Sequence, residues 1–408
     1  MSRIEQLLKE FCPNDVSYIK VQDIAEISTG SSNGNEATDD GLYPFYIRSA
    51  TVKKLNTYEF DEEAIIIPGE GGIGDIYHYV NGKYALHQRV YRIHIIRQDV
   101  NAKYVYYCFT NYFKSFILKK AVNATVMSIR KPMIAEFQIP LPALPVQREI
   151  VRVLDGFTLY SQELTAELTA RCKQYEYYRD KLLTFEKPQV EWRTLNDVFY
   201  QYNGMTGVSK KWAEDGNCKF IDYMNAYKNS KIDVTKLQNA TVSNLKQNTI
   251  RKGDILFTSA SETPDECAIC AEVEDDIIDD IFLDDHLFAL RPKQNDLFFK
   301  GYLKYAFSTN AFRKTIHKAV RGVTRFYISQ KDFMKLRFPI PSLEVQKRIV
   351  NVLDNFDKIC SDLKIGLPAE IEKRQAQYEF YRDKLLTFDN ESATILYRQT
   401  DRQTDRAN

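Results

Sequence analysis

The 408-residue chain has no long apolar run, no disulfide-like cysteine pattern and almost no net charge. Its hydrophobic stretches fall far short of the roughly 20 residues that a membrane-spanning helix needs. The segment Met1 to Phe11 is charged and lacks the apolar centre of a signal peptide, so a cytoplasmic location is expected. The seven cysteines (Cys12, Cys108, Cys172, Cys218, Cys267, Cys270 and Cys360) are scattered and odd in number. That pattern fits a reducing compartment and argues against a disulfide framework. The five histidines show no metal-ligand spacing. Cys267-x-x-Cys270 lacks a second pair at zinc-site spacing and lies in a strand-like stretch, so no metal site is expected. With a net charge of +1, composition alone does not single out nucleic acid as a partner.

Signatures of catalysis are missing as well. Gly69 to Gly74 fits the pattern G-x-G-x-x-G after a strand. A dinucleotide site would need a helix to start there and an acid about twenty residues on. Strand-like residues and an Asn81-Gly82 turn follow instead, and no Asp or Glu occurs between Ile76 and Gln98. There is no phosphate loop, no Asn-Pro-Pro-Tyr tetrapeptide and no nucleophile signature. No catalytic residue, no metal and no cofactor is expected in this chain.

What the chain does have is a long segment that occurs twice. Val146 to Asp155 reads VQREIVRVLD and Val345 to Asp354 reads VQKRIVNVLD. Gln174 to Phe185 reads QYEYYRDKLLTF and Gln377 to Phe388 reads QYEFYRDKLLTF. In the first copy an apolar stripe at three- and four-residue steps includes Leu154, Phe157, Leu164, Leu168, Tyr175, Tyr178 and Leu182. This spacing predicts one long helix after Pro145. The second copy carries Leu353, Phe356, Leu363, Tyr378, Tyr381 and Leu385, with a break expected near Gly366 and Pro368. Two striped rods in one chain can bury their stripes against each other, and an antiparallel coiled coil is the expected arrangement.

The repeat extends upstream, where Thr110 to Lys114 matches Thr309 to Arg313, and Ile139 to Pro142 matches Phe338 to Pro341. Val21 to Ile24 resembles Leu195 to Val198. The expected fold is α+β: two similar mixed domains separated by two helical spacers, with pseudo-twofold organisation. The boundaries are 1–143 and 187–342 for the domains, 144–186 and 343–389 for the spacers, and 390–408 for a disordered polar tail. In that tail Arg398 to Arg406 repeats Arg-Gln-Thr-Asp. Successive codons of a repeated AGAC unit encode that tetrapeptide, so a tetranucleotide tract prone to slippage is expected at the 3′ end of the gene.

Charge is segregated within the domains. Six basic residues and no acid lie between Val100 and Ala135, and eight basic residues and no acid between Leu297 and Lys331. Two such segments at corresponding places point to a phosphate backbone. From them Lys119, Lys120, Arg130, Lys314, Lys318, Arg321 and Arg325 are expected to hold phosphates. Both rods, their endings and their Ile-Pro-Leu-Pro and Phe-Pro-Ile-Pro entries resemble the specificity subunit of type I restriction–modification systems.

That resemblance implies a non-catalytic subunit that binds double-stranded DNA, each domain reading one half of a gapped target. It also implies two methyltransferase subunits and two restriction subunits as partners, with S-adenosylmethionine, ATP and Mg in those partners. By resemblance, base reading falls to Arg48, Lys53, Lys54, Gln88 and Arg89 in the first domain, and to Lys210, Lys211 and Tyr223 in the second. A coiled-coil adaptor with two protein-binding domains is the alternative.

Overall fold

The computed structural model describes residues 3–120, 128–186, 190–362 and 365–388. They group into two compact units, Met1–Leu164 with Ile371–Asn408, and Thr165–Glu370. Leu363, Ala121 and Val122, and the repetitive tail lie outside the described residues.

The first unit is built on a six-stranded sheet in the order Ala25–Thr29, Val90–Ile95, Phe60–Pro68, His78–Leu86, Tyr43–Tyr46 and Lys53–Leu55. Neighbours are antiparallel except Tyr43–Tyr46, which runs parallel to His78–Leu86. Residues 64–68 read as an unbroken apolar run because both faces of that strand are covered. Ile65 and Ile67 join the cluster that includes Tyr104 and Val105, while Ala64 and Ile66 pack with Tyr84 and Leu86. The expected hairpin at Asn81-Gly82 does not form. Both residues lie inside the strand His78–Leu86, opposite Glu63 and Glu62. Gly82 takes φ 118° there, so the glycine serves a local distortion within a continuous strand.

The second unit repeats the scheme. Phe199–Asn203, Leu287–Pro292, Ile255–Thr258 and Cys270–Glu272 form one sheet in that order. These correspond to the first four strands of the first unit's sheet. The parallel pair also recurs, as Cys218–Ile221 beside Ile281–Leu283 in a second sheet. A short two-stranded ladder precedes each helical segment: Tyr18–Lys20 with Gln138–Pro140, and Glu191–Thr194 with Arg337–Ile340. Val21–Asp23 and Leu195–Val198, matched in sequence, are both short helical turns.

Leu144–Leu182 is one unbroken helix of 39 residues, about 58 Å at 1.5 Å per residue. The second copy is split into Leu343–Ser361 and Leu367–Leu386, at the expected break. Gly366 is required there, because a Cβ would lie 2.5 Å from the carbonyl oxygen of Lys358 and 2.6 Å from that of Asp362.

Each unit holds its own antiparallel helix pair. In the first, Phe157 stacks on Tyr381 at 5.4 Å and the Arg374 guanidinium lies 5.3 Å from the Tyr160 ring. In the second, Tyr178 stacks on Phe356 at 5.6 Å, and Cys172 lies close enough to Cys360 to help push the Cys360 thiol pKa up. Moving forward along one helix moves backward along its partner in both cases. Leu154, Leu164 and Leu353 are buried, and Leu168 is half-buried. Val345, Val352, Ile359 and Tyr160 lie on the exposed edge of the predicted stripe, because a two-helix seam covers a narrower arc than a globular core does.

The repeated endings seat on cores. Tyr175, Leu182, Leu183 and Phe185 pack in the second unit, and Tyr378, Leu385, Leu386 and Phe388 pack in the first. The repeated openings are anchored by polar groups that the apolar stripe does not predict. Buried Gln147 accepts from the Asn101 amide at 2.8 Å and donates to the carbonyls of Pro142 and Asp99 at 2.7 and 3.1 Å. Gln346 makes the same three bonds, to Phe299 N, Pro341 O and Leu297 O, at 2.7, 2.8 and 3.1 Å. Tyr107 and Tyr305 each donate a hydroxyl to the matched aspartates Asp155 and Asp354, both at 2.6 Å.

Candidate nucleic-acid interface

In the first unit three of the expected base-reading residues come together. Arg48 and Arg89 converge on Glu70, at 3.1 and 2.9 Å. The two guanidinium groups, Arg89 foremost, hold the Glu70 carboxyl below its ordinary range. Glu70 lies in the Gly69–Gly74 run, where Gly71, Gly72 and Gly74 all have positive φ. The strand His78–Leu86 follows this run, with no helix start, so the run is a strand connection that presents an acid to two arginines. Gln88 is exposed beside them and donates to Asn33 at 2.7 Å. Buried His87 accepts from the Arg89 amide at 3.0 Å. Its pKa is lowered by burial and by the nearby Arg48 and Arg89 charges, so the neutral ring buttresses the patch. Both arginine pairs are solvent-exposed, where an ion pair is worth only about 0–1 kcal/mol, so Glu70 holds the two guanidinium groups weakly.

The remaining residues of this unit stand apart from that patch in the chain. Lys53 and Lys54 are exposed on Lys53–Leu55, an edge strand of the sheet. Lys119 is half-buried on the helix Lys114–Lys120, and the Lys120 side chain lies outside what is described. Arg130 is exposed at the N-cap of Lys131–Ala135.

In the second unit a cleft of about 990 Å³ gathers Lys211, Tyr223 and Arg325. Lys211 is not available as a free cation. Its ammonium donates to Asp284 at 3.0 Å and also to Asp285. Burial works against that charge, but the two aspartates outweigh it and the pKa is raised. Asp284 is only 2% exposed, so releasing Lys211 to DNA would strand a buried carboxylate. Asp284, Asp285 and His286 form the one group of three potential metal ligands among the described residues, and Lys211 is bonded within it. Tyr223 is half-buried, donates to the Ala260 carbonyl at 3.2 Å and stacks on Tyr227 at 5.7 Å.

Lys210, Lys314 and Lys318 are exposed. Arg321 is engaged within the unit, with bonds to the carbonyls of Lys318 and Val320 and an ion pair to Asp332, all at 2.8 Å. The basic run is therefore mixed in purpose. Lys304 is buried against Glu274 at 2.8 Å, and Arg313 donates to the carbonyls of Asp265, Cys267 and Ala268. Cys267 is buried in the core of this unit and Cys270 packs against it, and burial pushes the Cys270 thiol up to about 12.

Residues that sequence reasoning missed lie on the same cleft. Trp212 is 63% exposed with φ 53°, and Met224 is also exposed. An exposed tryptophan invites notice in any sequence with two of them, but its left-handed backbone leaves no sequence signal.

The comparisons with known proteins agree with this architecture. The family model described as the type I restriction modification DNA specificity domain matches twice, over residues 13–174 and 189–373. The chain is 34% identical over 274 residues to the specificity subunit of a type I restriction enzyme of Escherichia coli, covering 62% of this chain and 63% of that subunit. It thus spans just under two thirds of that relative's length. A putative type I specificity subunit of Mycoplasma pneumoniae is 25% identical over 396 residues, which is 90% of this chain and 96% of that one. The crystal structure of a type I restriction–modification S subunit from M. genitalium shares the fold, with a TM-score of 0.56 at 14% identity, over 92% of this chain and 98% of that chain. Among the described residues no helix is long and apolar enough to cross a membrane. With two family matches covering both halves, the chain belongs to the type I restriction modification DNA specificity family.

Proposed function

We propose that this chain is the non-catalytic DNA-reading subunit of a cytoplasmic type I restriction–modification complex. Each unit reads one half of a gapped target, and the helical segments fix the gap. The observation that carries the reading is the repeat itself: two units with the same strand order but different exposed residues, each tied to its helix by the same glutamine and aspartate bonds. A shared frame with divergent surfaces suits two different half-sites. Phosphate contacts fall to exposed cations such as Lys314, Lys318 and Arg130.

The repeat also offers two like docking surfaces. Tyr177 and Phe380 are matched in the repeated ending and are 60% and 61% exposed. Large aromatics left in water at equivalent places suit anchoring of two copies of one partner. That partner is the methyltransferase subunit, which supplies S-adenosylmethionine chemistry on an adenine drawn from the stack. Restriction subunits, with ATP and Mg, complete the assembly.

Co-expression with the cognate methyltransferase in a methylation-free host tests the proposal. Long-read mapping should show modified adenines in a two-part gapped motif that disappears when this chain is left out. Ungapped methylation that persists without it would leave the chain a scaffold.

A further inference from the structure

The second unit carries a hairpin whose construction goes beyond that of a basic surface. Val320–Arg321 and Phe326–Ile328 pair antiparallel, leaving residues 322–325 as the tip. Gly322 has φ 112°, and a Cβ there would sit 2.1 Å from the Arg325 carbonyl oxygen, so the turn is tight and needs glycine. Arg321 pins the base of the hairpin through Lys318, Val320 and Asp332. A third strand, Ala260–Ser261, braces its far side. On this fixed support Val323 is 90% exposed. No hydrogen bond or ion pair to the Arg325 guanidinium occurs among the described residues.

Thr324 and Arg325 form one wall of the 990 Å³ cleft, and Trp212 lies on another. A bulky residue at positive φ is a backbone outlier, and such outliers persist where surrounding structure over-determines them. Lys211, immediately before the indole, is held by Asp284 and Asp285. Strained backbone, an exposed indole and an exposed valine all cost stability. Their coincidence on one cleft is the mark of a contact surface.

The cleft lining decides which part of DNA the surface would meet. Asp222, Glu262, Glu266 and Asp284 outnumber Lys211 and Arg325 there, and Lys211 is already neutralised. Such a lining repels phosphates. A base edge in the major groove offers what it accepts: amino donors for carboxylates, a methyl group for apolar side chains, and paired acceptors for one guanidinium.

We infer that the second unit reads its half-site with the hairpin tip and Trp212. Arg325 addresses a guanine through O6 and N7, and Val323 and Trp212 meet a thymine methyl. The inference rests on the DNA-reading function proposed above and reassigns Arg325 from phosphate to base.

The test is methylation of a DNA library randomised in both half-sites by the reconstituted complex, with wild type, Arg325→Ala, Arg325→Lys, Val323→Ser, Trp212→Ala and Trp212→Phe. Arg325→Ala should cut the preference for guanine at one position of one half about tenfold to a hundredfold. Arg325→Lys should fail to restore it, because an ammonium keeps the charge but loses the fork. Val323→Ser and Trp212→Ala should relax a thymine position in the same half, and Trp212→Phe should retain it. Should Trp212→Ala fail to fold, the surface variants at 323 and 325 carry the same test. Uniform loss across all positions, rescue by Arg325→Lys, or changes in both halves would overturn the inference. A wild-type chain that directs no two-part methylation would overturn the recognition reading and this inference together.

Discussion

Replacing Gln147 by Leu tests how the helices are fastened to the domains. Gln147 is fully buried and makes three hydrogen bonds, to the Asn101 amide and the carbonyls of Pro142 and Asp99. Leucine fills nearly the same space but pairs with none of them. Each backbone group left unpaired in a buried site costs about 1–3 kcal/mol. Burying the leucine side chain returns about 1.5–3 kcal/mol. With three such groups at the middle of that range, about 6 kcal/mol is lost and about 2 kcal/mol regained, a net loss of about 4 kcal/mol. Gln346 makes the matched bonds in the second unit, so Gln346→Leu should cost a similar amount. Urea denaturation of each variant, followed by circular dichroism, gives the comparison. A loss below about 1 kcal/mol in both would refute the claim that these glutamines anchor the helices.

Other consequences follow from single groups. Glu272 is buried and accepts from the amides of Gly301 and Lys304 at 2.7 and 3.0 Å. Burial nevertheless raises its pKa to about 7. The folded protein therefore holds this proton more tightly than the unfolded chain, so its contribution is fully present below pH 4.5 and is lost as pH rises through 7. The size is about 3 kcal/mol at 1.36 kcal/mol per pH unit, and Glu272→Gln should remove that part of the pH dependence measured between pH 5 and 8. A dependence unchanged in the variant would count against it. Cys172 and Cys360 face each other on antiparallel helices. Mild oxidation with peroxide should join them in the folded chain, which peptide mapping by mass spectrometry can show. A different cysteine pair would contradict the helix register. Sequencing the 3′ end of the gene should show one repeated AGAC unit under residues 398–406, whereas mixed synonymous codons would exclude the slippage tract.

The rods were legible because a stripe over tens of residues is a long-range signal, and Gly366 and Pro368 announced the break between Leu343–Ser361 and Leu367–Leu386. Asn81-Gly82 misled because turn chemistry is local. The strand opposite supplies Glu62 and Glu63 as ladder partners, and that pairing outweighs the turn preference. Gln147 and Asp155 stood in plain view inside the repeated motif, yet a polar residue on a helix reads as solvent-facing until its buried partners are known. The basic segments showed charge but not its engagement. Lys304, Arg313 and Arg321 bind groups distant or irregularly placed in the chain, and no spacing rule exposes such pairing. Trp212 was silent for the same reason, since its neighbour Lys211 is held by two aspartates more than seventy residues away.

The central claim is that each unit reads one half of a divided target, and a domain exchange tests it most directly. Residues 190–342 would be replaced by the matching segment of a family relative, leaving the helices intact, and modified adenines mapped with the same methyltransferase. The account predicts a motif in which one half changes, while the other half and the gap stay as they were. A motif unchanged by the exchange, or altered in both halves, would contradict it.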